Sequence, residues 1–390
     1  MSDPVALFNG FLLARSESEF SAVSAESSSR VSRSCCLASL RNCLTQHTAS
    51  ARVALLVDVD AIDVIDCDAS VHSVTLNNDA DGEQSDTDVA TPWSPTPDAL
   101  SGDVEAVAWS ADATTLVVLT TRSVGLFAAA SLELSHAHSL YFHASDVACF
   151  DLRVPQCASD CACASVASGR DESTAAWASG IAVAVAGSDG LQLFHVCTRG
   201  TRTFSGRFVI VHEFLNIARV CVSRDAALLA VISAMGHVGI WRLAGDVGEQ
   251  RSDNFWFHLV ADCDRLIDVA FDSASSMLGV TSWDGALRVF ERVPTARDCE
   301  WQQVVPDYLT YVDVKHQAGK IAAPLVALLD NGDALLSSGS TLVQINVRSA
   351  APVALFQFEC PVRGLVVAAD NSWLCALADG ALLRRRCASQ

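Results

Sequence analysis

Three histidines and three cysteines form the densest group of possible metal ligands in the sequence. They occur as His136-x-His138-x4-His143 and as Cys157-x3-Cys161-x-Cys163. Structural zinc sites usually take two separated ligand pairs of the Cys-x2-Cys kind. The cysteine spacing here is irregular, and no second pair lies near it. We therefore predict no metal at this group but an exposed strand followed by a Ser/Cys-rich loop, with a zinc site as the alternative.

Nucleophilic chemistry has one candidate, the adjacent thiols of Cys35 and Cys36. A cysteine nucleophile needs a neighbouring base, usually a histidine that an acid orients, and no such arrangement surrounds this pair. The sequence also lacks a Gly-x-Ser-x-Gly elbow, a phosphate-binding glycine loop and a His-Glu-x-x-His motif. We therefore predict that the protein is not an enzyme, holds no cofactor and buries these two thiols in a strand.

The charge balance argues against nucleic acid as a direct partner. The chain has 26 Lys and Arg residues against 45 Asp and Glu residues, a formal net charge of −19, whereas nucleic-acid binding needs a basic face. With 51% hydrophobic and 18% charged residues, the chain of 390 residues can bury a large core. No apolar run reaches the roughly 18 residues of a membrane-spanning helix, so we expect no insertion into a membrane.

The cysteines favour a reducing compartment. The chain has 15 of them, and most stand inside apolar runs such as Val220-Cys221-Val222, where a thiol behaves as a small hydrophobic group. Their number is odd, and the sequence begins at Met1 without the basic region of a signal peptide. We therefore expect free thiols and a cytoplasmic or nuclear location, or both.

Short apolar runs bounded by Asp-Gly, Asn-Gly and Ser clusters recur along the chain, a pattern typical of many short strands. Glycines expected in tight turns recur at intervals of 46, 49, 47 and 48 residues, at Gly190, Gly236, Gly285, Gly332 and Gly380. Four segments align in register with one another: 104–112, 217–225, 266–272 and 362–370. This period predicts radial or stacked units, each with a strand, a turn, a strand, a hairpin and a strand. A fourth strand is expected in the connection to the next unit.

The hairpins of two units resemble the inner hairpin of WD-repeat β-propellers. The matching runs are Thr281–Glu291 (TSWDGALRVFE) and Gly239–Arg242 (GIWR). The Trp-Asp pair that ends the family's hairpin is replaced in four units, by Trp241-Arg242, Phe290-Glu291, Phe194-His195 and Phe127-Ala128. The family's Gly-His pair is not recognisable. The resemblance therefore implies a propeller whose stability depends more on packing than on the family's hydrogen-bond network.

These observations predict an all-β chain folded as one domain over residues 1–390, a single closed β-propeller of about seven four-stranded antiparallel blades. The blades are expected at 30–78, 103–143, 144–215, 216–261, 265–308, 309–358 and 360–390. The N-terminal strand is expected to complete the last blade, because Pro4–Phe8 (PVALF) repeats Pro352–Phe356 (PVALF). Two long connections are expected to be loops: an acidic, Pro-containing, flexible loop at about 77–103 and a Cys/Ser-rich loop at about 157–175.

The family resemblance implies a function as well as a fold, since WD-repeat propellers mostly serve as rigid interaction platforms. We therefore predict a non-enzymatic scaffold or adaptor that binds other protein subunits of a multi-protein complex, without a choice among such complexes. The alternative is a propeller enzyme or a ligand-binding propeller that uses the central channel.

Charged residues early in the innermost strands are the candidates for either function. Glu105, Arg219, Asp268 and Arg363 stand near the beginning of four aligned units. Loops from every blade gather at this end of a propeller. We predict that these side chains form a solvent-facing rim that binds partners, with a catalytic group at the channel mouth as the alternative.

Overall fold

The computed structural model is all-β in the part of the chain that it describes. The described residues are 7–8, 11–12, 15–16, 19–20, 44–46, 53–58, 61–65, 71–75, 100, 103–110, 115–128, 131, 133–140, 142–154, 178–188, 190–197, 216–225, 227–242, 255–259, 265–283, 285–294, 299–304, 309–310, 324–367, 373–377 and 382–385. None of them belongs to a helix that is long and apolar enough to cross a membrane.

The strands of these residues form antiparallel sheets. Two hairpins come first: β1 (Leu7–Phe8) with β2 (Phe11–Leu12), and β3 (Arg15–Ser16) with β4 (Glu19–Phe20). Sheet 1 contains β5 (Leu44–Gln46), β6 (Val53–Asp58), β7 (Ala61–Ile65) and β8 (Val71–Thr75). Sheet 2 contains β9 (Val104–Trp109), β10 (Thr115–Thr120), β11 (Ser123–Ala128) and β12 (Leu134–Ser139). Sheet 3 contains β13 (Ala144–Val154), β14 (Ala178–Gly187) and β15 (Gly190–Cys197).

Four further sheets follow in chain order. Sheet 4 contains β16 (Ile217–Val222), β17 (Leu228–Ser233), β18 (His237–Arg242) and β19 (Phe255–Leu259). Sheet 5 contains β20 (Leu266–Phe271), β21 (Met277–Ser282), β22 (Ala286–Pro294), β23 (Cys299–Gln303) and β24 (Leu309–Thr310). Sheet 6 contains β25 (Val326–Leu328), β26 (Asp333–Ser338), β27 (Thr341–Asn346) and β28 (Ala351–Gln357). Sheet 7 contains β29 (Val362–Val367), β30 (Trp373–Leu377) and β31 (Leu382–Arg385).

The first strand of five sheets carries a bulge at its second residue. In β16, Ile217 lies opposite Ser233 and Arg219 lies opposite Ile232, so Ala218 has no partner across the ladder. The same shift occurs in β9, β13, β20 and β29. A bulge bends a strand and redirects the neighbouring side chain. In these five strands, the bulge therefore sets the direction of the side chain of the third residue.

Apolar side chains fill the space between neighbouring sheets. The cluster between sheets 4 and 5 includes Ile232, Val238, Leu266 and Val280, and similar clusters join sheet 2 to 3, 5 to 6 and 6 to 7. All six residues of β17 are buried because both of its faces are covered. Its first five residues, LLAVI, are accordingly a continuous apolar run and not an alternation of apolar and polar residues.

The first strands contact one another in chain order, from β5 through β9, β13, β16, β20 and β25 to β29, and β29 also contacts β5. Between sheets 6 and 7, the rings of Phe356 and Trp373 lie 5.4 Å apart and the Arg385 guanidinium lies 4.3 Å from the Phe356 ring centre. Aromatic and cation–π contacts therefore supplement the apolar packing at this junction.

One turn position differs from the sequence prediction. Gly190, Gly236 and Gly285 stand where the second strand of a sheet turns into the third, but Gly332 stands between the first and second strands of sheet 6. Gly339 takes the equivalent place. Both glycines of sheet 6 have positive φ, 81° for Gly332 and 56° for Gly339, which glycine adopts without strain, so both positions suit a turn and spacing alone selected the wrong one. Gly380 lies outside the described residues.

The N-terminal segment pairs differently from the prediction. Leu7 lies opposite Leu12 and Phe8 opposite Phe11, so the described part of the PVALF segment pairs with β2, whereas β31 pairs with β30. The two residues between β1 and β2 are Asn9-Gly10, a dipeptide that favours a two-residue hairpin. A local turn signal, and not the completion of sheet 7, therefore decides the pairing of β1.

The predicted acidic loop ends in packed structure. Leu100 is buried, and its two terminal carbons lie 2.8 Å from the place that a Cβ on Gly125 would take. The missing side chain of Gly125 therefore gives Leu100 room against sheet 2. Apart from Leu100 and Asp103, residues 77–103 lie outside the described part of the chain, as does the predicted loop 157–175.

Candidate functional site

Three charged side chains from three neighbouring sheets meet at the third residue of their first strands. The Arg219 guanidinium of sheet 4 lies between two carboxylates: Nε donates to Asp268 Oδ1 of sheet 5 at 3.0 Å, and Nη1 donates to Asp146 Oδ1 of sheet 3 at 3.1 Å. Both carboxylates are buried, and the Arg219 side chain is 12% exposed. We call these three residues the central cluster; its formal charge is −1.

The remaining carboxylate oxygens of the central cluster bind the backbone of the next sheet. Asp146 Oδ2 accepts the Val220 N–H of sheet 4 at 2.8 Å, and Asp268 Oδ2 accepts the Val326 N–H of sheet 6 at 2.9 Å. Ser145, at the bulge before Asp146, donates its hydroxyl to the Ile217 carbonyl at 2.6 Å. The central cluster therefore joins four successive sheets, from 3 to 6.

Burial dominates the protonation of the central cluster. It raises the pKa of Asp146 and of Asp268, outweighing the opposite effects of the Arg219 guanidinium and of the N–H donors. Burial acts to lower the pKa of Arg219, but the two carboxylates outweigh it and raise that pKa. Burial also raises the pKa of the adjacent Cys221 thiol to about 11, so Cys221 is not a reactive thiolate at neutral pH.

The structure brings together two of the four residues predicted for the rim. Arg219 and Asp268 form an ion pair in a buried place, which does not fit a rim that faces solvent. The two opposite charges can pair because the fold places equivalent positions of adjacent first strands side by side. Glu105 and Arg363 are half-buried at the bulges of β9 and β29, and the structure does not place them in the central cluster.

Sequence reasoning missed Asp146, although a signal for it existed. Asp146 stands third in the segment Ala144–Val147 (ASDV), which aligns with Ile217–Val220 (IARV) and Leu266–Val269 (LIDV). Acid, base and acid thus occupy one position in three successive units. Only the radial arrangement shows that such a position forms a chain of ion pairs.

Four hairpins between second and third strands are held by the same backbone hydrogen bond. The N–H at the start of each hairpin tip donates to the carbonyl just before the first strand of that sheet: Thr121 to Asp103 at 2.8 Å, Ser188 to His143 at 3.0 Å, Ala234 to Asn216 at 2.9 Å and Trp283 to Arg265 at 2.8 Å. These tips lie at the end of the sheets near which the central cluster stands. We call this end the hairpin face.

At the opposite end, the turns between first and second strands also connect sheets. Asp225 Oδ1 of sheet 4 accepts the hydroxyl of Ser223 at 2.6 Å and that of Ser275 of sheet 5 at 3.0 Å. Ser273 donates in the same way to Asp330 of sheet 6. Partial burial acts to raise the pKa of Asp225, but its hydrogen bonds with Ser223, Ala227 and Ser275 outweigh it and lower that pKa.

The possible metal ligands are not brought together in the described part of the chain, where no group of three His, Cys, Asp or Glu side chains could hold an ion. His138 is buried, whereas His143 is exposed with its Nδ1 3.1 Å from the Ala144 carbonyl. The three cysteines of the predicted loop and the side chain of His136 lie outside the described residues, as do Cys35 and Cys36.

The meandering antiparallel sheets of three to five strands and their successive first-strand contacts define the chain as a β-propeller. Among solved structures, it is similar to the β-propeller domain of Cps50 (Swd1) from Myceliophteria thermophila, with a TM-score of 0.57 and 10% sequence identity. The match covers 88% of this chain and 95% of that one. At this identity the likeness shows the fold alone. No protein-family model matches the chain, and no curated protein matches it either.

Proposed function

We propose that this propeller is a non-enzymatic scaffold or adaptor that binds other protein subunits in a multi-protein complex. The observation that carries the proposal is the common backbone bond of the four hairpin tips. It gives neighbouring sheets rigid tips with different side chains at one end of the molecule. A preorganised surface of this kind binds a partner with little loss of conformational entropy.

We further propose a closed ring of seven WD-repeat-like blades that correspond to sheets 1 to 7. The contact between β29 and β5 supports closure, and the seven larger sheets of the described chain support the number of blades. The location proposed is the cytoplasm, the nucleus or both. Among the described residues, Cys149, Cys221, Cys360 and Cys375 are not joined in disulfides, which supports a reducing compartment.

The alternative function is ligand binding or catalysis in the central channel. One observation favours it: Arg219 is partly exposed, and its Nη2 has no hydrogen-bond partner among the described residues. The scaffold is preferred because both carboxylates of the central cluster already accept hydrogen bonds from Arg219 and from backbone N–H groups. Carboxylates held in this way are poor candidates for a general base.

Affinity purification of the tagged full chain from its own cells at low salt, followed by mass spectrometry and size-exclusion chromatography, tests the proposal. We expect a large assembly with partners in fixed stoichiometry. Elution at the mass of the single chain, together with a small molecule retained in native mass spectrometry, would contradict the scaffold and support the channel alternative.

A further inference from the structure

Four large apolar side chains are exposed in the described part of the chain: Met235, Trp283, Val353 and Leu355. Two of them stand on the hairpin face, where Met235 is 70% and Trp283 is 39% exposed. The other two lie on β28. Large exposed apolar groups that the fold itself does not use often mark binding surfaces.

The hairpin tips of other sheets show that the fold does not require apolar side chains there. Sheet 2 has Thr121 and Arg122 at its tip, sheet 3 has Ser188, and sheet 6 has Ser340. The tips of sheets 2 and 3 have the same backbone bond as those of sheets 4 and 5. The hairpins can therefore form without large apolar side chains at the positions of Met235 and Trp283, which indicates that these two side chains have another role.

Met235 and Trp283 stand on neighbouring sheets that pack directly against each other. Ile232 and Val238 flank the tip of Met235, Val280 comes three residues before Trp283, and all three side chains belong to one buried cluster. The two tips are thus fixed relative to each other by the core beneath them.

Each of the two tips is also rigid by itself. Ser233 Oγ accepts the N–H of Met235 at 3.1 Å and that of His237 at 3.3 Å. Gly236 and Gly285 follow the two tips with φ of 86° and 82°, which glycine adopts without strain. A partner would therefore meet side chains whose backbone is already ordered.

Arg265 supplies a charge at this place. Its carbonyl accepts the Trp283 N–H, its side chain is exposed, and it forms no ion pair with another described residue. The backbone of Arg265 thus lies next to that of Trp283, and an exposed guanidinium on the hairpin face favours a partner that combines an apolar side chain with a carboxylate. Asp284, next to Trp283 in the sequence, lies outside the described residues.

We propose that Met235, Trp283 and Arg265 form a docking surface for an acidic peptide segment of a partner protein. An apolar side chain of that segment packs against Met235 and Trp283, and a neighbouring Asp or Glu pairs with Arg265. Trp, Met and Arg are the residue types enriched at the centres of protein interfaces. This inference rests on the proposed scaffold function and locates one of its surfaces.

The test uses the immobilised full chain and a phage-displayed library of random peptides. We expect the selected peptides to share an aromatic or aliphatic residue next to Asp or Glu. Their affinity, measured by fluorescence anisotropy, should fall at least about tenfold in the Met235→Ser/Trp283→Ser variant. Arg265→Glu should weaken binding more at low salt than at high salt, because salt screens an exposed charge pair.

The matched control is Val353→Ser/Leu355→Ser, which removes two other exposed apolar side chains, 55% and 68% exposed, from β28 and should leave the affinity unchanged. Both double variants should keep the cooperative unfolding transition of the parent chain, with a somewhat lower melting temperature for Met235→Ser/Trp283→Ser because more than half of the Trp283 side chain is covered. Peptides without the acidic and apolar pair, or equal affinity for Met235→Ser/Trp283→Ser and the parent chain, would overturn the docking surface.

Purification from cells separates this inference from the proposed function. If the same partners co-purify in equal yield with the parent chain and with Met235→Ser/Trp283→Ser, the scaffold stands and the docking surface is wrong. If the parent chain itself co-purifies with no partner, the scaffold function fails first.

Discussion

At the scale of single residues, the central cluster combines strong contacts with a large cost of burial. One guanidinium faces two buried carboxylates, so the charges do not cancel and burial raises the pKa of both acids. Buried ion pairs often contribute little net stability, whereas removing one partner leaves a charge that nothing compensates. The loss of stability on replacing one residue of the central cluster therefore depends on which residue is replaced.

Replacing the base should destabilise the fold more than replacing one acid. Arg219→Leu leaves Asp146 and Asp268 buried without a counter-charge, and we expect a loss of about 3–5 kcal/mol in the free energy of unfolding. Asp146→Asn leaves a neutral pair of Arg219 and Asp268 and loses about one hydrogen bond, or about 1–3 kcal/mol. Urea denaturation of both variants measures the difference. Equal losses would contradict this account of the cluster.

Two aspartates should show opposite pH dependence. The pKa of Asp146 is raised on folding, so the folded state holds the proton more tightly and the contribution of Asp146 to stability falls as pH rises above about 4. The pKa of Asp225 is lowered, so its contribution is complete above about 4 and is lost as pH falls below that value.

Urea denaturation between about pH 3 and 7 of Asp146→Asn and Asp225→Asn, each against the parent chain, tests these signs. The stability cost of Asp146→Asn should shrink as pH rises, and that of Asp225→Asn should shrink as pH falls. The same trend in both variants would show that one of the two directions is wrong.

At the scale of elements, local chemistry decides where each sheet turns and long-range packing decides what its strands bury. Ser223 and Asp272 stand at equivalent positions after β16 and β20, and each accepts the N–H of the residue five positions later, Leu228 at 2.8 Å and Met277 at 2.8 Å. This repeated side-chain bond closes the first turn of the unit. It explains why Ser or Asp recurs there although the two side chains differ in charge.

Replacement of Gly332 tests whether the first turn of sheet 6 depends on the positive φ of this residue. It has a φ of 81°, and no atom lies within 4 Å of the place that a Cβ would take. Gly332→Ala should therefore lower the free energy of unfolding by about 1–2 kcal/mol through backbone strain alone. Gly332→Asn should cost less, because Asn tolerates the left-handed region. Denaturant unfolding of both variants measures these losses of stability. Equal losses would mean that backbone strain is not the cause.

At the scale of the whole molecule, polar contacts between sheets are concentrated where the central cluster stands. Sheets 3 to 6 are joined by the two aspartates and Arg219, and the Thr281 hydroxyl adds a bond of 2.9 Å to the Pro324 carbonyl of sheet 6. The third residues of β9 and β29 are Ala106 and Gly364, which can form no ion pair. The ion pairs of the central cluster therefore extend over sheets 3 to 5 and are not continued at the third residues of β9 and β29.

Hydrogen exchange should show that the first strands of sheets 3 to 6 depend on the central cluster. In Arg219→Leu, we expect faster amide exchange in the first strands of sheets 3 to 6, at β13, β16, β20 and β25, because local opening there loses its polar contacts. Exchange in β9 and β29 should change less. A uniform increase over all first strands would show that the sheets open as one cooperative unit and that sheets 3 to 6 have no separate stability.

Much of the architecture could be predicted from the sequence. The aligned segments and the turn glycines identified four-stranded antiparallel units, because strand periodicity and glycine turns are local properties of the chain. The same local reasoning failed where two local signals competed. Gly332 and Gly339 both suit a turn, and β1 pairs with β2, its neighbour in the sequence, and not with sheet 7.

The sequence by itself determined the class of fold, the repeating unit and the positions of charge within each unit. Only the tertiary structure decided what those charges do. Arg219 and Asp268 are 49 residues apart, and Arg219 and Asp146 are 73 apart, so no local pattern relates them. The radial arrangement brings equivalent positions of neighbouring units together, and burial between sheets then places Arg219 and Asp268, two charges predicted for the surface, in one buried cluster with Asp146.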